Sequence, residues 1–136
     1  MTELSRKAQC ALLAATDLAA HYRPGALVSL GEMARRTGVS RKYLGQVLLL
    51  LKRRMLVHSF RGSKGGYRLM RRPALISAAE VIAAASPGRR AARAGALQQP
   101  YAGALDWLAQ KIADAGRAVL TDITLADLAD RVGWQP

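Results

Sequence analysis

Residues 29–69 read SLGEMARRTGVSRKYLGQVLLLLKRRMLVHSFRGSKGGYRL, and this stretch decides the fold of the chain. Ser29 and Glu32 have the S-x-x-E spacing of a capping box, in which each side chain accepts from a backbone N–H at the start of a helix. Gly38 supplies the left-handed residue that ends this helix, and Ser40 can cap the next one. The pattern predicts a helix-turn-helix.

The second helix of this pair has two different faces. Its N-terminal polar residues are Arg41, Lys42, Tyr43 and Gln46. Its apolar residues are Leu44, Val47, Leu48 and Leu51, at helical spacing. Because the start of a recognition helix touches base edges in the major groove, we expect the polar set to bind DNA. The apolar set should pack on the core.

A basic, glycine-rich segment follows the second helix. Gly62, Gly65 and Gly66 allow a tight hairpin, because glycine adopts backbone conformations that other residues avoid. This hairpin carries three basic residues, Arg61, Lys64 and Arg68. A hairpin of this kind is typical of a wing that meets backbone phosphates or the minor groove.

The positive charge of the chain is concentrated in the same part. Of 21 Lys and Arg and 9 Asp and Glu, 15 basic and 3 acidic residues precede Ala74, which accounts for the whole net charge of +12. The remainder carries no net charge. This asymmetry favours phosphate attraction as the purpose of the charge, over a basic surface kept for solubility.

Helices are predicted on both sides of this segment. Ser5 or Thr2 can cap a first helix that reaches about His21, and Ser77 with Glu80 repeats the capping-box spacing. A long helix should run from about Tyr101 to Leu120, and Thr124 with Asp127 should cap a last short one. The fold class is therefore mainly α with a small β-hairpin wing.

The long helix suggests a second subunit. Its apolar residues recur every three or four positions, and we expect a dimer interface at Leu105, Leu108, Ile112 and Val119. The chain then divides into a winged helix-turn-helix DNA-binding domain over 1–86, a connector over 87–100, and a dimerisation and C-terminal helix unit over 101–136. Without a secretory or membrane-spanning segment, a soluble cytoplasmic protein is expected.

Five segments of the chain carry a family resemblance: the opening LSRKAQCALLAATDLAAH, the block SLGEMARRTGVSRKYLGQ, the wing RGSKGGYRL, the helix ISAAEVI and the tail TDITLADLADR. Together they resemble the iron-sulfur cluster regulator family (IscR, NsrR and CymR-like) of bacterial winged-helix transcription factors. The resemblance covers nearly the whole chain. It implies a homodimeric repressor or activator of a roughly palindromic operator. By matching motifs it places DNA contacts at Ser40, Tyr43, Gln46 and Arg61.

Two features of the sequence depart from the family pattern, one segment and one single residue. Cluster-binding members carry three cysteines between the Glu80 helix and the long helix, whereas this chain has PGRRAARAGALQQPYAG over 87–103. Because thiolates hold such clusters, we expect no iron-sulfur cluster, no other cofactor and no metal site. Gly45 stands where many relatives have a glutamate, which should alter base preference.

Other interpretations remain open at this stage. A low-specificity nucleoid-type DNA binder, or a regulator controlled by a partner protein, would also need the basic charge. The effector is open too: it could be a small molecule, a protein, or oxidation of the lone Cys10, or there could be none. Arg89, Arg90 and Arg93 could bind an anion or serve solvation alone. An enzyme is not expected, because no nucleophile, base and orienting group occur together.

Overall fold

The computed structural model describes residues 4–86 and 101–133, which form six α-helices and one β-hairpin. The elements in chain order are α1 (Arg6–Ala20), α2 (Leu30–Thr37), α3 (Arg41–Arg53), β1 (Val57–Phe60), β2 (Gly66–Leu69), a 3₁₀ turn (Pro73–Leu75), α4 (Ala78–Ala85), α5 (Tyr101–Thr121) and α6 (Leu125–Val132). This order confirms the predicted helix-turn-helix and wing. The expected connector, residues 87–100, lies outside the described residues.

The helix ends follow the predicted capping. The Ser5 and Ser40 hydroxyls accept from backbone N–H groups at the starts of α1 and α3, and Gly38 ends α2 with a φ of 77°. At the start of α2 the Ser29 hydroxyl accepts from the Glu32 N–H at 3.2 Å and donates to the Glu32 carboxylate at 3.0 Å. A hydrogen bond from the Ser29 backbone also helps to lower the pKa of Glu32.

One hydrophobic core joins the helices. Leu44, Val47, Leu48 and Leu51 of α3 are fully buried, as the sequence predicts. They pack with the small residues of α1, where Ala11 and Ala14 let the helices approach closely, and with Val81 of α4. Burying each large apolar side chain stabilises the fold by roughly 1.5–3 kcal/mol. This core fixes α3 so that its other face points outward.

The hairpin is antiparallel and is extended by one more residue of the chain. Val57 pairs with Leu69, and Phe60 pairs with Gly66. Val28, just before α2, forms an isolated bridge to Tyr67, with N–H···O distances of 2.9 and 2.8 Å. A side chain on Gly66 would meet the Val28 carbonyl, so this close approach requires glycine. The bridge ties the wing to the entrance of the helix-turn-helix.

The C-terminal helix returns to the core of the N-terminal part. The Ala78 N–H donates to the Ile123 carbonyl at 2.7 Å, and the Leu125 N–H donates to the Ile76 carbonyl at 2.9 Å. Leu125 is fully buried, and α6 packs against α1 and the 3₁₀ turn. The division at 86/87 and 100/101 stays a prediction, and α6 is shared between the two expected units.

Helix α5 differs from the others because none of its residues is buried. It contacts α4. No helix within residues 4–86 and 101–133 has the length and the apolar character that a membrane crossing requires.

Candidate nucleic-acid interface

The start of α3 presents the predicted DNA-contacting residues on one exposed side. Arg41, Lys42 and Gln46 are exposed, and Ser40 is exposed while its hydroxyl accepts from the Tyr43 N–H at 3.2 Å. Tyr43 is half-buried and packs against the core. The structure thus exposes four of the five predicted residues of α3, with Lys42 and Gln46 one turn apart on the side opposite the buried leucines, while Tyr43 lies partly in the core. An amide that can donate and accept in pairs is what reads an adenine edge, and Gln46 supplies one.

An ion pair holds α2 in place beside α1. Arg36 donates from Nε to Oδ1 of Asp17 at 2.8 Å and from Nη2 to Oδ2 at 3.0 Å, and the Asp17 side chain is only 8% exposed. The hydrogen bond to Asp17 raises the pKa of Arg36 above its ordinary value despite some burial. Such a bidentate pair fixes direction as well as distance. It therefore orients the first helix of the helix-turn-helix, and sequence inspection did not find it.

A second charge contact lies at the N-terminus of α2. The hydrogen bond from the Ser29 hydroxyl lowers the pKa of Glu32, and Nη1 of Arg36, 3.5 Å from Oε2, lowers it further. Glu32 is the one carboxylate of α2, and it is engaged by groups of its own helix. The cations at the start of α3, Arg41 and Lys42, therefore do not pair with Glu32 and can bind another anion.

The three predicted basic residues of the wing lie in two different places, at the tip of the hairpin and on its second strand. Arg61 and Lys64 are exposed in the turn between β1 and β2, where Gly62 has a φ of 106°. Arg68 lies on β2 and is half-buried, with its guanidinium carbon 5.1 Å from the centre of the Phe60 ring. A cation over an aromatic face stabilises the pair. Arg68 therefore belongs to the body of the wing, and Arg61 and Lys64 to its tip.

Two further contacts secure the wing to the helices. The Lys52 ammonium at the end of α3 donates to the Ser59 hydroxyl at 2.8 Å. Arg71, after β2, donates to Oε1 of Glu80 on α4 at 2.6 Å. Burial raises the pKa of Glu80, but the hydrogen bonds from Arg71 and from the Ser77 N–H outweigh this and lower it overall. The complete capping box at Ser77 and Glu80 confirms the sequence prediction there.

The predicted dimer residues form an exposed apolar stripe on α5. Leu105 and Leu108 are 48% exposed, Ile112 is 53% exposed and Val119 is 62% exposed. Trp107 is also exposed, with the Lys111 ammonium 5.7 Å from its ring centre.

Groups that could hold a metal ion are scarce. Within the described ranges no group of three or more His, Cys, Asp and Glu side chains comes together. Cys10, the single cysteine of the chain, is buried in α1, as expected for a small apolar residue. The arginines 89, 90 and 93 lie outside the described residues.

Comparison with known proteins gives a consistent result. Residues 4–131 match the Rrf2 family model, which is described as an iron-dependent transcriptional regulator. The transcriptional regulator IscR of Cereibacter sphaeroides is 38% identical over 95 residues, which is 69% of this chain and 61% of that protein. The chain spans about half to three fifths of the length of the curated relatives it matches first.

Solved structures agree over a larger share of the chain. IscR of T. potens superposes with a TM-score of 0.75 at 30% identity, covering 96% of this chain and 88% of that one. CymR, the global cysteine regulator of B. subtilis, superposes with a TM-score of 0.73 at 31% identity, covering 96% and 98% of the two chains.

Proposed function

Because the chain belongs to the Rrf2 family of transcriptional regulators, we propose that it is a sequence-specific DNA-binding regulator that acts as a homodimer without an iron-sulfur cluster. The family consists of regulators and not of enzymes. The observation that carries the proposal is the exposed start of α3, where Gln46 stands beside Arg41 and Lys42. A binder of phosphates alone has no need of an amide at such a place.

Each part of the interface has its own task in this proposal. The first turns of α3 enter the major groove, where Ser40, Tyr43 and Gln46 contact the bases or the backbone beside them. The wing tip, with Arg61 and Lys64, contacts a neighbouring phosphate or the minor groove. The concentration of charge before Ala74 supports this arrangement, because affinity for DNA comes mostly from neutralised phosphates.

The second subunit docks on α5. Its apolar stripe of Leu105, Leu108, Ile112 and Val119 is exposed in the single chain. Two copies joined by a two-fold axis through this stripe would cover it, because an interface of that kind pairs the same patch on both subunits. The two recognition helices would then read half-sites about 34 Å apart, one turn of DNA, so a palindromic operator is expected.

The absence of a cluster follows from the donor chemistry. The family model is described as iron-dependent, and iron-sulfur clusters are held by cysteine thiolates. This chain has one cysteine, which is buried in α1, and the segment over 87–103 contains no cysteine, histidine or acid. Two subunits would bring two copies of Cys10, which is short of four ligands. The residues present do not fit a cluster.

A nucleoid-type binder with little sequence choice is the second candidate. The strong basic charge of the part before Ala74 favours it, since this charge alone would give non-specific binding. The two candidates differ in the ratio of affinities for preferred and random DNA, which reaches 10³ or more for typical specific regulators.

In either case the protein would act in the cytoplasm, where the bacterial chromosome lies.

Selection from a library of random DNA duplexes tests the proposal. The wild-type protein is expected to enrich a palindromic sequence, and to prefer it strongly over a scrambled duplex of the same composition at moderate salt. Enrichment without any consensus would refute sequence-specific regulation and favour the nucleoid-type binder.

Purification without oxygen tests the absence of a cluster, and the protein purified in this way should be colourless. A brown preparation with stoichiometric iron and sulfide would show that it holds a cluster.

A further inference from the structure

The side chain of Arg41 lies across Gly31, although the two residues belong to different helices. A Cβ atom placed on Gly31 would lie 2.8 Å from Nη2 of Arg41, 3.2 Å from its Cζ and 3.7 Å from its Nε. The whole guanidinium therefore rests against the first turn of α2. Sequence inspection placed Arg41 among the base-reading residues of α3 and did not foresee this contact.

The backbone of Gly31 does not itself require glycine. The glycines with positive φ in the described part of the chain are Gly25, Gly38, Gly62 and Gly133, and Gly31 is not among them. Glycine is also the poorest helix former after proline, so it weakens a helix in which alanine would fit. What Gly31 provides is space, and the group that occupies this space is the Arg41 guanidinium.

Arg41 has no carboxylate partner in that position. Among the ion pairs of the described residues, Glu32 and Asp17 pair with Arg36, and none involves Arg41. Its charge is exposed on the surface that carries the predicted DNA contacts. A guanidinium suits a phosphate well, because its planar fork matches two oxygens of the anion.

The position on α2 decides which part of DNA this guanidinium meets. In a helix-turn-helix the first helix crosses the sugar-phosphate backbone, while the start of the second helix reaches the base edges. We propose that Gly31 is a positioning residue that leaves room for Arg41 to lie along α2, so that Arg41 binds a DNA phosphate and does not read a base. This inference rests on the proposed function and assigns base reading to other residues of α3.

A double-mutant cycle tests the inference with the full chain. The variants are Gly31→Ala, Arg41→Ala and the two combined, and the probes are a duplex selected by the wild-type protein and a scrambled duplex. Arg41→Ala should weaken binding several-fold, by the same factor on both probes, and reduce the salt slope by about 1. Gly31→Ala should also weaken binding by the same factor on both probes, but by less than Arg41→Ala, because its methyl group moves the guanidinium aside and leaves its charge in place. The combined variant should bind no more weakly than Arg41→Ala alone.

The controls separate positioning from folding. Alanine favours a helix more than glycine does, so Gly31→Ala should unfold at a temperature no lower than that of the wild type. Arg131→Ala removes an exposed charge on α6 and should leave both affinities unchanged, because that side chain is not part of the proposed interface.

Three results would overturn the inference. They are an Arg41→Ala variant that loses preference for the selected duplex, a Gly31→Ala variant that binds like the wild type, and effects of the two substitutions that add. Failure of the proposed function looks different, because the wild type itself would then not distinguish the two duplexes. The cycle measured on the scrambled duplex would still decide the role of Gly31.

Discussion

Arg36 and Asp17 are 19 positions apart in the chain, yet two nitrogens of one meet two oxygens of the other at 2.8 and 3.0 Å. The carboxylate is almost completely buried, and His21 approaches it from the next turn of α1, with Nδ1 3.6 Å from Oδ1. Since α2 is short, this ion pair, together with the buried Met33, fixes how α2 lies on α1.

Loss of the arginine should destabilise the fold. Arg36→Met keeps the length of the side chain but leaves the Asp17 carboxylate, which is 8% exposed, without its bidentate donor. Because Arg36 itself is partly exposed, the loss should be about 1–3 kcal/mol. Urea unfolding followed by circular dichroism measures this. Arg35→Met, on the exposed side of the same helix, should change the free energy of unfolding little. Equal losses in the two variants would contradict the structural role of the pair.

The wing tip should contribute to affinity. Arg61 is exposed at the turn of the hairpin, so Arg61→Ala should weaken binding to the selected duplex by about 1 to 3 kcal/mol at moderate salt. Electrophoretic titration of wild type and variant at several salt concentrations provides the measurement. If both proteins bind equally well, the wing makes no contact through this residue.

Substitution of Gln46 should act on selectivity. Removing its amide by Gln46→Ala should reduce the preference for selected over scrambled duplex by about 1 to 3 kcal/mol, and should change binding to the scrambled duplex much less. Gln9→Ala removes an amide from α1, where it donates to the Leu4 carbonyl, and serves as the matched control. A uniform loss on both duplexes would mean that Gln46 contacts only the backbone.

The stripe on α5 should hold two subunits together. Leu108→Glu would place a charge in an apolar seam without a partner, so monomers or aggregates are expected in place of dimers. Leu13→Glu, at a residue of similar exposure on α1, is the control and should leave the dimer intact. Light scattering at micromolar concentration distinguishes these states. A wild-type protein that stays monomeric there would remove the basis for this interface.

Acid should weaken the contact between the wing and α4. Although burial raises the pKa of Glu80, the hydrogen bonds from Arg71 and Ser77 lower it overall, below its value in the unfolded chain. Its stabilising effect is therefore complete above the ordinary glutamate pKa of about 4.3 and is lost as the pH falls through the lowered value.

A comparison of wild type with Glu80→Gln measures this effect. The difference in unfolding free energy should be present at neutral pH and should shrink as the pH falls below about 4. Asp106→Asn changes an exposed carboxylate on α5 and should show no such trend. A difference between wild type and Glu80→Gln that does not depend on pH would assign the effect to lost packing.

Features set by neighbouring residues were predictable from the sequence. Ser40 and Gly38 act through hydrogen bonds and dihedral angles within a few residues, and the buried face of α3 follows from helical spacing alone. The same holds for the exposed stripe of α5. In each case the residues within one or two helical turns are enough to predict the feature.

Features set by the crossing of distant elements were not predictable. The Asp17–Arg36 pair, the Val28–Tyr67 bridge and the contact of Arg41 with Gly31 depend on where helices and strands meet in space.

The position of Leu125 has a consequence for biosynthesis. This residue fills the core beneath α1, and the backbone bonds around it join Ile76 and Ala78 to the start of α6. Ribosomes add residues at about 5–20 per second and domains fold as units, so the helix-turn-helix leaves the ribosome well before its core can close. During that interval Ile76 and the apolar face of α1 lack their final partner.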